Sequence, residues 1–260
     1  MSTPTINTIL SNLIVVALDT NLWSGEKKLR PEDLGGVNLP PDKLASLGSK
    51  RIFDPAGLKI FKTLKRRAER ALIDIGVRFL SGYAIPESAL DTVFQTLVEI
   101  ENEFAQAKRD FLFEYDAKLE AWLKEAGEWS EIVRKAVEPA SSVANKLHFG
   151  FTAYKVGEPV AASVMVQETL ARQVGGLTDQ LMREIAQDAK EALQYYNGRT
   201  EVTRKALSPV NNIKAKLEGL MFLNPSEIGG LVMNVNAVLA AVPKSGPICA
   251  RSPQRGASRS

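Results

Sequence analysis

The sequence predicts a mainly α fold: an elongated antiparallel hairpin of two long, coiled-coil-like helices, with shorter helices and a small two-stranded β element. Three observations predict it. Apolar residues recur at steps of three and four along two long stretches, 86–123 and 161–196. In the first, the order of steps is that of a heptad seam which relaxes toward the plain helical period. Two short segments, near 14–22 and 147–156, alternate with a period of two instead.

Residues 1–11 read as a flexible lead-in, and 12–242 as one elongated helical domain. From Val16 to Leu22, apolar side chains alternate with small or polar ones, which suggests a strand, with a short helix as the rival reading. Gly35-Gly36 and Pro40-Pro41 mark a long connection, with one short helix near Asp42 to Leu47. Asp54-Pro55 is a helix start, a capping carboxylate before a first-turn proline. The spacing predicts a helix to about Leu80, buried along Phe61, Leu64, Ala68, Leu72, Ile75 and Phe79. Lys59, Lys62, Arg66 and Arg70 fall on its other side.

Pro86 opens the first long helix. About 38 residues at about 1.5 Å each would make a rod of roughly 57 Å. Its seam runs from Val93 through Phe104 and Phe111 to Trp122. Trp129 to Val137 continues as a short helix before Pro139. A second strand is expected over Leu147–Val156, paired with Val16–Leu22 and burying Phe149, Phe151 and Leu22. The second long helix covers 161–196, with its apolar stripe from Val166 through Leu177, Leu181, Ile185 and Leu193 to Tyr196. That stripe is expected to receive the Phe104–Phe111 seam. Gly175-Gly176 marks a kink or a close helix crossing. A helix from Glu201 breaks at Ser208-Pro209, and Asn224-Pro225-Ser226-Glu227 opens the last, ending near Val242. Residues 243–260 hold four cations and no acid, and read as a disordered basic tail.

The chain has 260 residues, 45% hydrophobic and 24% charged, the balance of a globular protein. One cysteine, Cys249, excludes an internal disulfide framework. One cysteine and one histidine exclude a zinc site made of those residues alone. No phosphate-binding glycine loop is present. Ser24 and Lys27 have the spacing of a Ser–Lys pair, but lie in a turn-rich segment without companion motifs, so a surface loop is the preferred reading. His148 could serve as a base or ligand; a structural role is preferred, since no second histidine exists. The acids of the first long helix, Glu99 to Glu120, read as a solvated face. These observations predict no enzyme, no catalytic or metal residues and no cofactor. The start lacks a positively charged leader and no apolar stretch reaches about 20 residues, so a cytoplasmic location is expected and a membrane partner is not.

Charge is unevenly placed. Residues 50–78 carry nine Lys/Arg and three Asp/Glu; residues 86–131 carry four and twelve. The cluster Lys65, Arg66, Arg67 and Arg70 is the candidate interaction surface. It could bind phosphates, or pair with the acidic helix within one chain or between subunits.

Several stretches together resemble a known family. They include Leu22-Trp23-Ser24-Gly25-Glu26-Lys27-Lys28-Leu29, Leu64-Lys65-Arg66-Arg67-Ala68-Glu69-Arg70, Val77-Arg78-Phe79-Leu80-Ser81-Gly82-Tyr83-Ala84, Phe149-Gly150-Phe151 and Lys216-Leu217-Glu218-Gly219-Leu220. The pattern, over about residues 12–248, is similar to the bacterial domain-of-unknown-function family numbered 3150. The resemblance implies an integrative conjugative element or large phage as context. It also implies gene neighbours: a MoxR/CobS-like AAA ATPase and a protein with a von Willebrand factor A domain. It supplies no catalytic motif. The expected function is therefore a non-enzymatic helical assembly or adaptor protein, acting with that ATPase and A-domain protein or by self-association. The alternative is a DNA-binding accessory protein, which the basic helix and Arg251, Arg255 and Arg259 favour. A membrane-inserting helical protein, using the apolar segment 229–242, is a third reading.

Overall fold

A computed structural model describes residues 4–35, 47–157, 164–196, 201–202, 204–243 and 248–249. In chain order it shows α1 (Ile6–Ser11), β1 (Leu13–Asn21), β2 (Glu26–Lys28), β3 (Ser49–Arg51) and α2 (Lys59–Ile73). Next come β4 (Val77–Phe79), β5 (Gly82–Pro86), α3 (Leu90–Phe113), α4 (Tyr115–Ala126), α5 (Ser130–Arg134), α6 (Ala140–Lys146) and β6 (His148–Tyr154). The chain continues with α7 (Val164–Tyr196), β7 (Glu201–Val202), α8 (Ser208–Gly219), α9 (Pro225–Ala240) and β8 (Ile248–Cys249). The fold is mainly helical with a small antiparallel sheet.

The chain groups into two compact units. The first comprises Met1–Ala17, Ala71–Val93 and Ala153–Ser260; the second comprises Leu18–Arg70 and Phe94–Thr152.

The first unit holds β4, β5 and the start of β1. Leu13 to Val16 pair with Pro86 to Tyr83, and Val77–Phe79 pair with Ala84–Gly82, both antiparallel. Leu13, Ile14, Val15 and Val16 are all buried, because this half of β1 is covered on both faces. A strand buried on both faces shows no alternation, so its sequence is compatible with a short helix as well. The backbones approach closely: a Cβ on Gly82 would lie 2.5 Å from the Val16 carbonyl oxygen, and one on Gly76 2.4 Å from that of Ala84. One apolar cluster joins Leu10, Leu13 and Phe79 with Val174, Leu177 and Leu181 of α7, Leu217 of α8 and Ile228 of α9.

The second unit is built on aromatic rings. Trp23, Phe53 and Tyr115 meet at centroid distances of 5.4–6.0 Å, with Phe53 stacked on Tyr115. Phe61 of α2 packs 5.0 Å from Phe104 and edge-on to Phe111 at 5.6 Å, and Phe104 lies 5.6 Å from Phe149 of β6. Edge and offset arrangements of this kind add to the plain area term. Phe151 meets Phe94 edge-on at 5.0 Å.

Several expectations hold. The strands near 14–22 and 147–156 exist and neighbour one another, although in a four-stranded sheet of order β4-β5-β1-β6 rather than a two-stranded element. The Asp54 carboxylate accepts from the Ala56 amide, and the Asn224 side chain accepts from the Glu227 amide. Phe61, Leu64, Ala68 and Leu72 are buried, as are Val93, Leu97, Ile100, Phe104 and Phe111.

Other expectations are corrected. The helix from Pro55 begins as a 3-10 turn and stops at Ile73, not Leu80. The residues beyond form the β4–β5 hairpin, whose two-residue loop holds Leu80 at φ 52°. A glycine or asparagine would have announced that turn; a leucine there is strained and gives no signal. The first long helix does open at Pro86, which precedes a 3-10 turn over Glu87–Ala89 that runs into α3, but it is divided at Glu114, so α3 and α4 replace the single rod. The two long stripes also find partners other than those expected. Phe104 and Phe111 are covered by Phe53, Phe61, Tyr115 and Phe149, while Leu177 and Leu181 belong to the α1–α8–α9 cluster. A stripe tells that a face is buried, not against what. Val166 and Leu193, near the ends of the second stripe, are exposed, and α7 runs unbroken through Gly175 and Gly176 with no close neighbour there among the described residues. The helix near Asp42–Leu47 lies almost wholly outside the described residues, as does the tail beyond Cys249, while Ile248–Cys249 pair with Glu201–Val202.

Candidate interaction surface

The basic cluster sits on α2, whose apolar stripe faces the aromatic core of the second unit. The stripe at Phe61, Leu64 and Ala68 fixes the rotation of the helix, and that rotation separates the four cations. Arg67 reaches Glu103 of α3 with a two-pronged contact, Nη2 donating to Oε1 at 2.9 Å and Nη1 to Oε2. The Arg67 guanidinium holds the Glu103 carboxyl below its ordinary range, and Glu103 in turn raises Arg67. Both ends are about half exposed, so water and salt screen the pair. Lys65 turns along its own helix to Glu69, 3.9 Å away. Arg66 and Arg70 are exposed, as are Lys59 and Lys62. The structure therefore divides the predicted cluster. Lys65 and Arg67 are engaged inside the second unit, whereas Arg66 continues the exposed line of Lys59 and Lys62.

The other candidates are placed as follows. The Ser24 hydroxyl accepts from the Glu26 amide, and Lys27 lies 2.9 Å from a Glu138 carboxylate oxygen, so both halves of the Ser–Lys spacing are engaged elsewhere. His148 lies on the exposed side of β6, with Nε2 3.2 Å from Asp19 of β1. It is one half of an exposed strand-to-strand pair, a contact in keeping with the structural role expected of it. Among the described residues, no group of three or more His, Cys, Asp or Glu side chains could hold a metal ion. A cleft of about 360 Å³ is lined by Phe53, Gly57, Trp122 and Glu125 among others. Three of its polar side chains serve the fold: Trp122 donates to the Arg51 carbonyl, Lys118 pairs with Glu114, and Asp54 caps the turn at Ala56.

The sequence reading missed Glu138. It is buried in the second unit between Lys27, Lys146 and the Ser142 hydroxyl, while the Tyr115 hydroxyl donates to its backbone carbonyl at 2.7 Å. Burial opposes its ionisation, but hydrogen bonds from Lys146 and Lys27 outweigh this and hold the carboxyl below its ordinary range. Burial, with the Glu138 and Asp116 charges, pushes the Tyr115 hydroxyl up to about 12. The signal in the sequence was an acid directly before Pro139, between two helical stretches. A depressed folded-state pKa stabilises above the unfolded carboxylate pKa of about 4.3, and that contribution disappears as pH falls through the folded value. Glu138→Gln should therefore destabilise the protein by about 1–2 kcal/mol at neutral pH, discounted for the exposed ammonium groups. The difference from the parent should vanish in acid, as urea melts across pH would show. A deficit independent of pH would assign the effect to packing.

A mainly helical chain with a small sheet and a cationic helix face defines a class without fixing an activity. Within that class, the chain belongs to the family described as protein of unknown function (DUF3150), which matches residues 10–257, nearly its whole length. No curated protein matches it, and no solved structure does. No helix among the described residues is long and apolar enough to cross a membrane.

Proposed function

We propose that the chain is a non-enzymatic helical assembly protein of a mobile genetic element, an integrative conjugative element or a phage. It acts in the cytoplasm with a MoxR/CobS-like AAA ATPase and a von Willebrand factor A-domain protein, the partners that its family resemblance implies. The observation that supports this reading is the outer face of α2. Its inner face is spent on the aromatic core, and Lys59, Lys62 and Arg66 remain exposed at helical spacing. A rim of charge on a rigid helix steers and orients a partner. Pull-down of the tagged protein from cells carrying its native gene neighbourhood, with and without nuclease, tests it. The ATPase and A-domain protein should be recovered in both arms.

The same cations favour a second reading, DNA binding. Three cations on one face can neutralise phosphates, and each lost contact reduces the log–log salt slope by about 0.9. If this reading holds, Arg66→Ala should flatten the slope more than Arg67→Ala, because Arg67 is already held by Glu103. Equal effects of the two, or no affinity for duplex DNA at low salt, would exclude it.

A further inference from the structure

We propose that the second unit carries both halves of a self-association contact. Phe113 of one copy, flanked by Asp110 and Asp116, docks on the outer face of α2 in a second copy. This goes beyond the partnership proposed above and does not depend on it.

Phe113 is 91% exposed, although it is the last residue of α3 and its neighbour Phe111 is core. Phenylalanine is ordinarily buried. Asp110 and Asp116, three residues to either side, are both exposed. Arg109 donates to the neutral Gln106, whose side-chain amide in turn donates to Asp110 at 2.8 Å, and Lys118 pairs with Glu114. The result is an apolar knob between two exposed carboxylates.

The outer face of α2 has the reverse character. Lys59, Lys62 and Arg66 line it at steps of three and four, and Ile60 at its edge is 46% exposed. Glu69, three residues beyond Arg66, lies 3.9 Å from Lys65. The two faces therefore offer an apolar centre each and charge of opposite sign, the combination of a central aromatic anchor with a complementary charged rim. Charge complementarity selects the occupant, since this chain itself presents the matching face. The contact joins unlike surfaces. Two copies of it about a two-fold axis would close a dimer, and one per pair would propagate a chain.

The test is sedimentation of the full chain over a concentration series, with circular dichroism to confirm folding of each variant. The wild type should self-associate, less so as salt rises from about 0.1 M to 1 M. Phe113→Asp should weaken association roughly tenfold or more. Two charge-reversed chains provide the discriminating arm: Asp110→Lys with Asp116→Lys, and Lys59→Glu with Lys62→Glu and Arg66→Glu. Each alone should associate weakly, whereas a 1:1 mixture restores opposite signs at both contacts and should associate as the wild type does. A monomeric wild type, association indifferent to Phe113→Asp, or a mixture no stronger than its components would overturn the proposal. A wild type that stays monomeric but binds polylysine through Phe113 would assign the knob to a basic partner instead. Recovery of the ATPase by a monomeric chain would leave the function proposed above standing while this contact failed.

Discussion

Replacing Lys216 by Ala should destabilise the protein by about 3–5 kcal/mol, the range for breaking a buried ion pair from one side. Lys216 is 3% exposed within the first unit. Its Nζ donates to Glu184 of α7 at 2.8 Å and to the carbonyl of Ile73, the last residue of α2, at 2.7 Å. The second contact places a cation on the negative end of a helix, where the carbonyls lack intrahelical partners. One side chain thus satisfies a carboxylate and a helix terminus. Without it, the Glu184 side chain, itself largely covered, loses the ammonium beside it. Lys216→Met keeps the apolar stem and should still lose most of that stability. The double variant Lys216→Met with Glu184→Met should recover much of it, because two apolar groups of similar volume replace a desolvated pair. Denaturant melts of the four proteins give the coupling directly. A loss under about 1 kcal/mol for Lys216→Met would show that the pair contributes little.

Lys216 also shows where the sequence was legible and where it was not. Ile213 and Leu217 are buried on α8, with Leu220 just beyond its end, and Lys216 lies on the same side. A cation on an apolar stripe signals a buried partner, but the acid that meets it is 32 residues away on another helix. Spacing along one helix cannot name it. The same limit governed the long helices. Their stripes were legible because burial imposes a period of about 3.6 residues, and the caps at Asp54 and Asn224 were legible because capping is local. The faces that the stripes meet are set by tertiary packing. Three-residue strands such as β2, β3 and β4 are too short to display a period, and the turn at Leu80 hides behind a residue type that rarely adopts its backbone. On the candidate surface, the count of cations was legible. Their division was not, since Glu103 takes Arg67 from the cluster through a contact between helices.

Phe104→Ala should cost about 3–5 kcal/mol, the range for removing a fully buried phenylalanine from a core. Phe104 is 3% exposed and lies between Phe61 of α2 and Phe149 of β6. Its removal opens a cavity among rings that are themselves constrained: Phe61 is held edge-on by Phe111, and Phe111 by Phe53 and Tyr115. Such a network collapses poorly, so the residual cavity is large and the loss should fall at the upper end of the range. Phe104→Leu refills part of the volume and should cost distinctly less. The partners are testable separately from the burial. Double variants pairing Phe104→Ala with Phe61→Ala or Phe149→Ala should depart from additivity by about 0.5–3 kcal/mol, since contacting residues share one cavity. Thermal or urea melts would measure both effects. An unchanged melt for Phe104→Ala would remove the ring from the core. Strict additivity with Phe61→Ala and Phe149→Ala would mean that Phe104 is buried by other neighbours.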